Sequence, residues 1–120
     1  MNSKEEREAL IKNRALGCLW GLVVGDALGA PFEFQPPETI DVPEEGEYTE
    51  GGHWDVSQGE WTDDSAMAMA LADSLNEEGW DREDQMAKYL EWYHWGEYQG
   101  RGESYGVGSQ TRRALMAYEE

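Results

Sequence analysis

GEWTDDSAMAMALADSL, residues 59–75, sets two adjacent acids, Asp63 and Asp64, directly ahead of an almost unbroken run of alanine, methionine and leucine. The alternation over Ala66-Met67-Ala68-Met69-Ala70 has the period of a strand. Those residue types are nonetheless strong helix formers, and none is β-branched. The stretch therefore predicts a helix over 62–76, buried all round, and this decides for an all-α fold. Thr62 then reads as an N-cap, with first-turn acids that the helix dipole favours. A second reading stands beside it, because unpaired charge leading into a buried helix is costly. A hydroxyl and paired carboxylates are hard oxygen donors, suited to Mg²⁺ or Mn²⁺ rather than to zinc. The triplet alone leaves cap and metal site both open.

Upstream, residues 4 to about 28 read as a helix with a charged first half and an apolar second half. Gly17, Gly21, Gly25 and Gly29 recur every fourth residue and fall on one face. Each interior glycine costs about 1 kcal/mol against alanine. Close approach of another backbone is the physical reason to keep them, so a tightly packed central helix is expected. Membrane dimers use the same spacing. Asp26 and an apolar run short of the roughly 20 residues that span a bilayer argue against that use. Asp26 itself, an acid inside an apolar stripe, needs a partner. Cys18, the single cysteine, reads as a small buried hydrophobe.

Residues 30–60 hold all four prolines and no sustained period of 2 or 3.6. A loop of about 30 residues in a compact domain is usually functional or disordered. Pro36-Pro37 and the run Glu44-Glu45-Gly46-Glu47 read as mobile, and Gly51-Gly52-His53-Trp54 as a tight turn with an anchor. Within this stretch Glu33 lies between Phe32 and Phe34. A carboxylate among aromatics could have a raised pKa and serve as a general acid or base. A solvated loop glutamate is the alternative.

Downstream, Asp81 and Asp84 form a capping-box-like pair. Met86, Tyr89, Leu90 and Tyr93 mark the buried face of the helix that follows. Trp92-Tyr93-His94-Trp95 with Tyr98 could stack a nucleobase, but core and rim packing is the simpler reading. A last helix starts near Ser109, after a glycine-rich segment. ESYGVGSQTRRA, residues 103–114, offers free backbone N–H groups at a helix start, a setting that suits an anion. It lacks the strand context of a dinucleotide fingerprint and the lysine of a P-loop. His53 and His94 have no metal-ligand spacing, which disfavours zinc.

Twenty-six acids against nine bases give a net charge of −17. Nucleic acid and anionic membranes reward the opposite sign and are excluded as expected partners. Few lysines with many acids suit a salt-rich cytosol, where screening removes self-repulsion; an ordinary acidic protein fits equally. The charged, helical N-terminus does not resemble a signal peptide, so a soluble cytoplasmic protein is expected.

GLVVGDALGAPFEF, GGHWDVSQGEWTDDSAMAMALADSL and the stretch from Trp92-Tyr93 to Thr111-Arg112-Arg113-Ala114-Leu115, in this order, resemble the ADP-ribosylglycohydrolase family. The resemblance runs from Ala15 onward. It implies an all-α domain with two Mg²⁺ ions, of which Thr62, Asp63 and Asp64 would be ligands. Glu33 would be the carboxylate acting on water or leaving group. Ser104, Tyr105, Gly106, Val107, Gly108 and Ser109 would cradle the diphosphate of ADP-ribose. The implied reaction is Mg-dependent hydrolysis of a glycosidic bond to ADP-ribose, on free or protein-linked substrate. Many members carry an aspartate where Gly106 stands, and that difference leaves the substrate subtype open.

The family domain is at least twice as long and adds a D-x-D-[DST] cluster near its C-terminus. After Arg101 the only acids here are Glu103, Glu119 and Glu120. The resemblance thus implies that residues 1–120 are a single incomplete domain, its N-terminal portion, with half a metal site. The helix over 62–76 would expose an apolar patch, for a second chain or self-association to cover. A non-enzymatic ADP-ribose-binding or interaction module that retains the scaffold is the alternative to an enzyme.

Overall fold

A computed structural model describes residues 3–44 and 46–120. Glu45, within the run expected to be mobile, lies outside the described residues. Helix α1 spans Lys4–Gly29, α2 Asp63–Glu78, α3 Arg82–Trp95 and α4 Ser109–Glu119. Two short 3₁₀ turns, Ala30–Phe32 and Pro37–Thr39, follow α1. Among the described residues there is no strand; one isolated antiparallel bridge joins Gly51 and Val56. The all-α expectation holds.

Local chemistry explains the helix limits. Ser3 caps α1 in a full capping box with Glu6, which satisfies two orphan donors at once. Asp81 caps α3 by accepting from the Glu83 and Asp84 amides. The return bond expected of Asp84 is not made, and its buried Oδ2 has no partner. Gly96 ends α3 in the left-handed region, where a Cβ would lie 2.4 Å from the Glu103 nitrogen. Only glycine fits there.

Helix α2 packs on α3 and α1, and α3 packs on α4. The main core gathers Ala66 of α2, Trp92 of α3 and Leu115 of α4, with Met86, Tyr89, Leu90 and Tyr93 packed against them. The face expected for α3 is therefore the one it buries. Trp92 is wholly buried and donates to Gln99 Oε1, whereas Trp95 is exposed. The aromatic cluster is core and rim. A smaller cluster joins Ala30, Val56 and Tyr105 under Trp54.

Several expectations need correcting. Helix α2 is not buried all round: Ser65, Ala66, Ala70 and Ser74 are buried, while Leu75 is exposed. Nor is α1 a packed central helix. A Cβ at Gly17, Gly21, Gly25 or Gly29 would meet nothing within 4 Å, and Cys18 is exposed. The apolar patch expected on α2 lies mainly on α1, at Ile11, Leu16 and Trp20. Segment Lys4–Phe32 also contains an 18-residue window of mean hydropathy 1.5, long and apolar enough to cross a membrane. The packing corrections share one reason. The main core joins α2, α3 and α4, whereas α1 packs on α2 alone among the helices, with Asp26 near its C-terminal end making the bonds. The radius of gyration, 16.8 Å, accordingly exceeds the roughly 13.6 Å of a closed domain this long.

Candidate active site

The end of α1 that does make contacts carries Asp26, and this residue builds the site. Its Oδ2 accepts from the Thr62 amide at 2.9 Å, the Ser65 amide at 3.2 Å and the Ser65 hydroxyl at 2.6 Å. Its Oδ1 accepts from the Thr62 hydroxyl at 2.7 Å. Thr62 occupies the N-cap position of α2 but makes no side-chain cap bond. The cap is supplied from another helix. Asp26 satisfies donors that α2 would otherwise leave orphaned in a buried setting. It also engages the Thr62 hydroxyl proton, so the lone pairs of Oγ1 are what remains for a ligand.

Glu33, Thr62 and Asp64 line one cavity of about 550 Å³, with Asp26 and Phe32 in its wall. Asp63, one residue and so about 100° round the helix from Asp64, lies against Gly106, where a Cβ would stand 2.6 Å from Asp63 Oδ1. Burial, then the charge of Asp64 and more weakly that of Glu33, pushes the Asp63 carboxyl up to about 6. Phe34, one of the aromatics beside Glu33 in the sequence, is exposed. The aromatic that meets the Glu33 carboxylate is Trp54, whose indole donates to Oε2 at 2.7 Å.

Sequence-nominated residues thus divide. Glu33, Thr62, Asp63, Asp64 and Gly106 are brought together. Among the remaining loop residues, Ser104 donates to the Tyr93 carbonyl, Tyr105 donates to the Trp61 carbonyl, and Val107 packs in the core. Their side chains serve packing, which leaves the backbone, Gly108 and exposed Ser109 to meet a ligand. Gly108 is the N-cap of α4 without a side-chain cap bond, so first-turn N–H groups keep their capacity to bind an anion.

Arg101 fastens this loop to the segment before α2. It pairs with Glu60, donates to the Trp54 carbonyl at 3.1 Å and lies 3.9 Å from the centre of the Tyr105 ring. Burial alone would lift the Glu60 carboxyl; Arg101 and the Ser57 amide outweigh it and hold it below the usual range. Sequence reasoning flagged Asp26 only as needing a partner and Trp54 only as a turn anchor. It missed Arg101, which carries no local signal.

Among the described residues, no group of three or more His, Cys, Asp or Glu side chains is close enough to hold a metal ion. The donors present suit Mg²⁺ in kind: two carboxylates and a hydroxyl whose proton is engaged elsewhere. They would supply at most three of the six donors that Mg²⁺ requires.

The chain is thus an all-α scaffold with a threonine and two aspartates at a helix start and a glutamate across one cavity. The family model for ADP-ribosylglycohydrolase matches residues 7–120, and the chain belongs to that family. It is 38% identical over 114 residues to ADP-ribosylarginine hydrolase Tri1 of Serratia proteamaculans (strain 568), covering 94% of this chain and 30% of that protein. It is 34% identical over 112 residues to the ADP-ribosyl-[dinitrogen reductase] glycohydrolase of Rhodospirillum rubrum, covering 90% and 35%. A solved structure of an ADP-ribosylglycohydrolase-related protein complex superposes with a TM-score of 0.67 at 43% identity, over 88% of this chain and 32% of that one. The chain spans about a third of the length of these relatives.

Proposed function

We propose that this chain supplies one wall of a site that hydrolyses the glycosidic bond to ADP-ribose, with the acceptor an ADP-ribosylated side chain. The observation that carries the reading is the meeting of Glu33, Thr62 and Asp64 around one cavity, in a chain of this family. Thr62, Asp63 and Asp64 would hold Mg²⁺, or Mn²⁺ in its place. Such an ion supplies Lewis acidity and a template for the ribose diol and water. Asp26 orients the Thr62 oxygen toward that role. Glu33 takes a proton from the attacking water or gives one to the leaving group, through an oxocarbenium-like transition state. The Gly106–Ser109 backbone and the start of α4 receive the diphosphate, where the helix dipole and open N–H groups favour negative charge.

Calorimetry on this chain with ADP-ribose, with and without Mg²⁺, tests the reading. Binding that strengthens with Mg²⁺, and that loses the gain in Asp64→Asn, is the expected result. A second reading, a non-enzymatic ADP-ribose-binding module, is favoured by the absence among the described residues of three clustered metal-binding side chains. Binding indifferent to Mg²⁺ and to Asp64→Asn would support it against the enzyme.

A further inference from the structure

Glu33 leaves the Ala30–Phe32 turn in extended backbone, φ −55° and ψ 136°. It begins a long segment without regular helix. A glutamate in such a place has three side-chain torsions to lose before it can present an oxygen reproducibly. The structure supplies the restraint from a turn 21 residues away. Trp54 Nε1 donates to Glu33 Oε2 at 2.7 Å, and an indole N–H is a donor only, with one direction.

Trp54 is itself held from several sides. The Gly51–Val56 bridge closes its turn through two backbone hydrogen bonds of 2.8 and 3.0 Å. Gly52, at φ +77°, presses on Pro31 so closely that a Cβ would lie 2.1 Å from the Pro31 oxygen. The turn carrying Trp54 and the turn carrying Glu33 are therefore packed backbone to backbone. Arg101 donates to the Trp54 carbonyl, and the Trp54 ring lies 5.7 Å from that of Tyr105 and 4.6 Å from that of His53. A donor this well anchored can fix its acceptor.

We infer that Trp54 is a positioning residue for Glu33: its indole N–H commits one carboxylate oxygen and so leaves the other, in a set orientation, for proton transfer at the cavity. The inference rests on the proposed acid–base role of Glu33. Arg101 and Tyr105 extend the restraint to the 104–109 loop, so the loop that receives the anion and the carboxylate that moves the proton share one support.

Nuclear magnetic resonance on the whole chain tests this without any ligand. The chain has six tryptophans, and the Trp54 indole resonance is the one missing in Trp54→Phe. In Glu33→Ala that resonance is expected to shift and its solvent exchange to quicken about 10- to 100-fold, the worth of a hydrogen bond to a charged acceptor. Glu33→Gln, which keeps a carbonyl acceptor, restores most of the protection. In Trp54→Phe the Glu33 side-chain couplings are expected to change from those of one rotamer to an average, while the Trp92 indole stays unmoved. A Trp54 resonance indifferent to Glu33→Ala overturns the inference, and so does a Glu33 that keeps one rotamer in a folded Trp54→Phe. Should Trp54→Phe fail to fold, the Trp54 indole is assigned through its contacts with the His53 and Tyr105 rings, and the Glu33 variants still decide. Failure of the wild-type chain to bind ADP-ribose in calorimetry counts against the proposed function instead, and leaves these readouts intact.

Discussion

The two ends of α1 share one helix and one glycine spacing, yet they live in different surroundings. Around Gly17 and Gly21 the helix face is open, and Trp20 stands 65% exposed. One to two turns later Ala27 is buried, and Asp26 holds four donors of α2. The same repeat therefore runs along an open face at one end and beside the cavity lined by Glu33, Thr62 and Asp64 at the other. What separates them is a single carboxylate at the position that faces the start of α2. A glycine stripe states that close approach is possible; it does not state that anything approaches.

Variants that strike the anchored end should cost most. Asp26→Ala leaves the Thr62 and Ser65 donors unsatisfied in sites that are 3% and 0% exposed. A loss of about 3–5 kcal/mol is expected, read as a lower urea midpoint, with amide exchange quickening first at the start of α2. An unchanged midpoint would remove Asp26 from its place in this comparison.

Gly106→Ala comes next. It combines φ +80° with a Cβ 2.6 Å from Asp63 Oδ1, and should cost about 2–3 kcal/mol of stability. Any Mg²⁺ response in calorimetry should fall with it, since Asp63 must move to make room. The family resemblance sets an aspartate at this position in many members. In this chain the Asp63 side chain occupies the space such a side chain would need.

Asp63→Asn should act in the opposite sense. The Asp63 carboxyl is raised to about 6 from 3.8, so the folded state holds its proton more tightly than the unfolded state does. The stability this contributes is full below about pH 4 and is lost as pH rises through about 6. At pH 7.5 the ionised group is a burden, and the amide should stabilise the fold by about 1 kcal/mol after solvent screening is allowed for. Thermal melts at pH 7.5 and pH 3.5 check this: the gain should be present at the first and absent at the second.

The smallest effect belongs to the open end. Gly17→Ala or Gly21→Ala meets no neighbour and should stabilise α1 by up to about 1 kcal/mol. A destabilised Gly17→Ala chain, with a change in sedimentation, would show that another molecule covers that face in solution.

Much of the scaffold was legible in the residues. Helix types and most ends follow from near neighbours: Asp81 before α3, the alanine–methionine–leucine run of α2, and the Met86, Tyr89, Leu90 and Tyr93 spacing. These are interactions over three or four residues, and sequence displays them directly. The site was legible in part. Thr62-Asp63-Asp64 and Glu33 stood out by residue type, and the family resemblance joined them. Their partners did not stand out. The Asp26–Thr62 bond spans 36 residues and the Trp54–Glu33 bond spans 21, and no periodicity encodes a bond across an irregular loop.

By itself, then, the sequence determined four helices, a hydroxyl and two carboxylates at the start of one of them, and a glycine-rich approach to another. Only the tertiary structure decided that Asp26 rather than Thr62 caps α2, that Trp54 holds Glu33, and that burial beside Asp64 lifts the Asp63 carboxyl. The physical reason is that propensity and capping act within a turn of chain. Desolvation and charge–charge repulsion depend on which distant segments share a volume, and folding alone sets that.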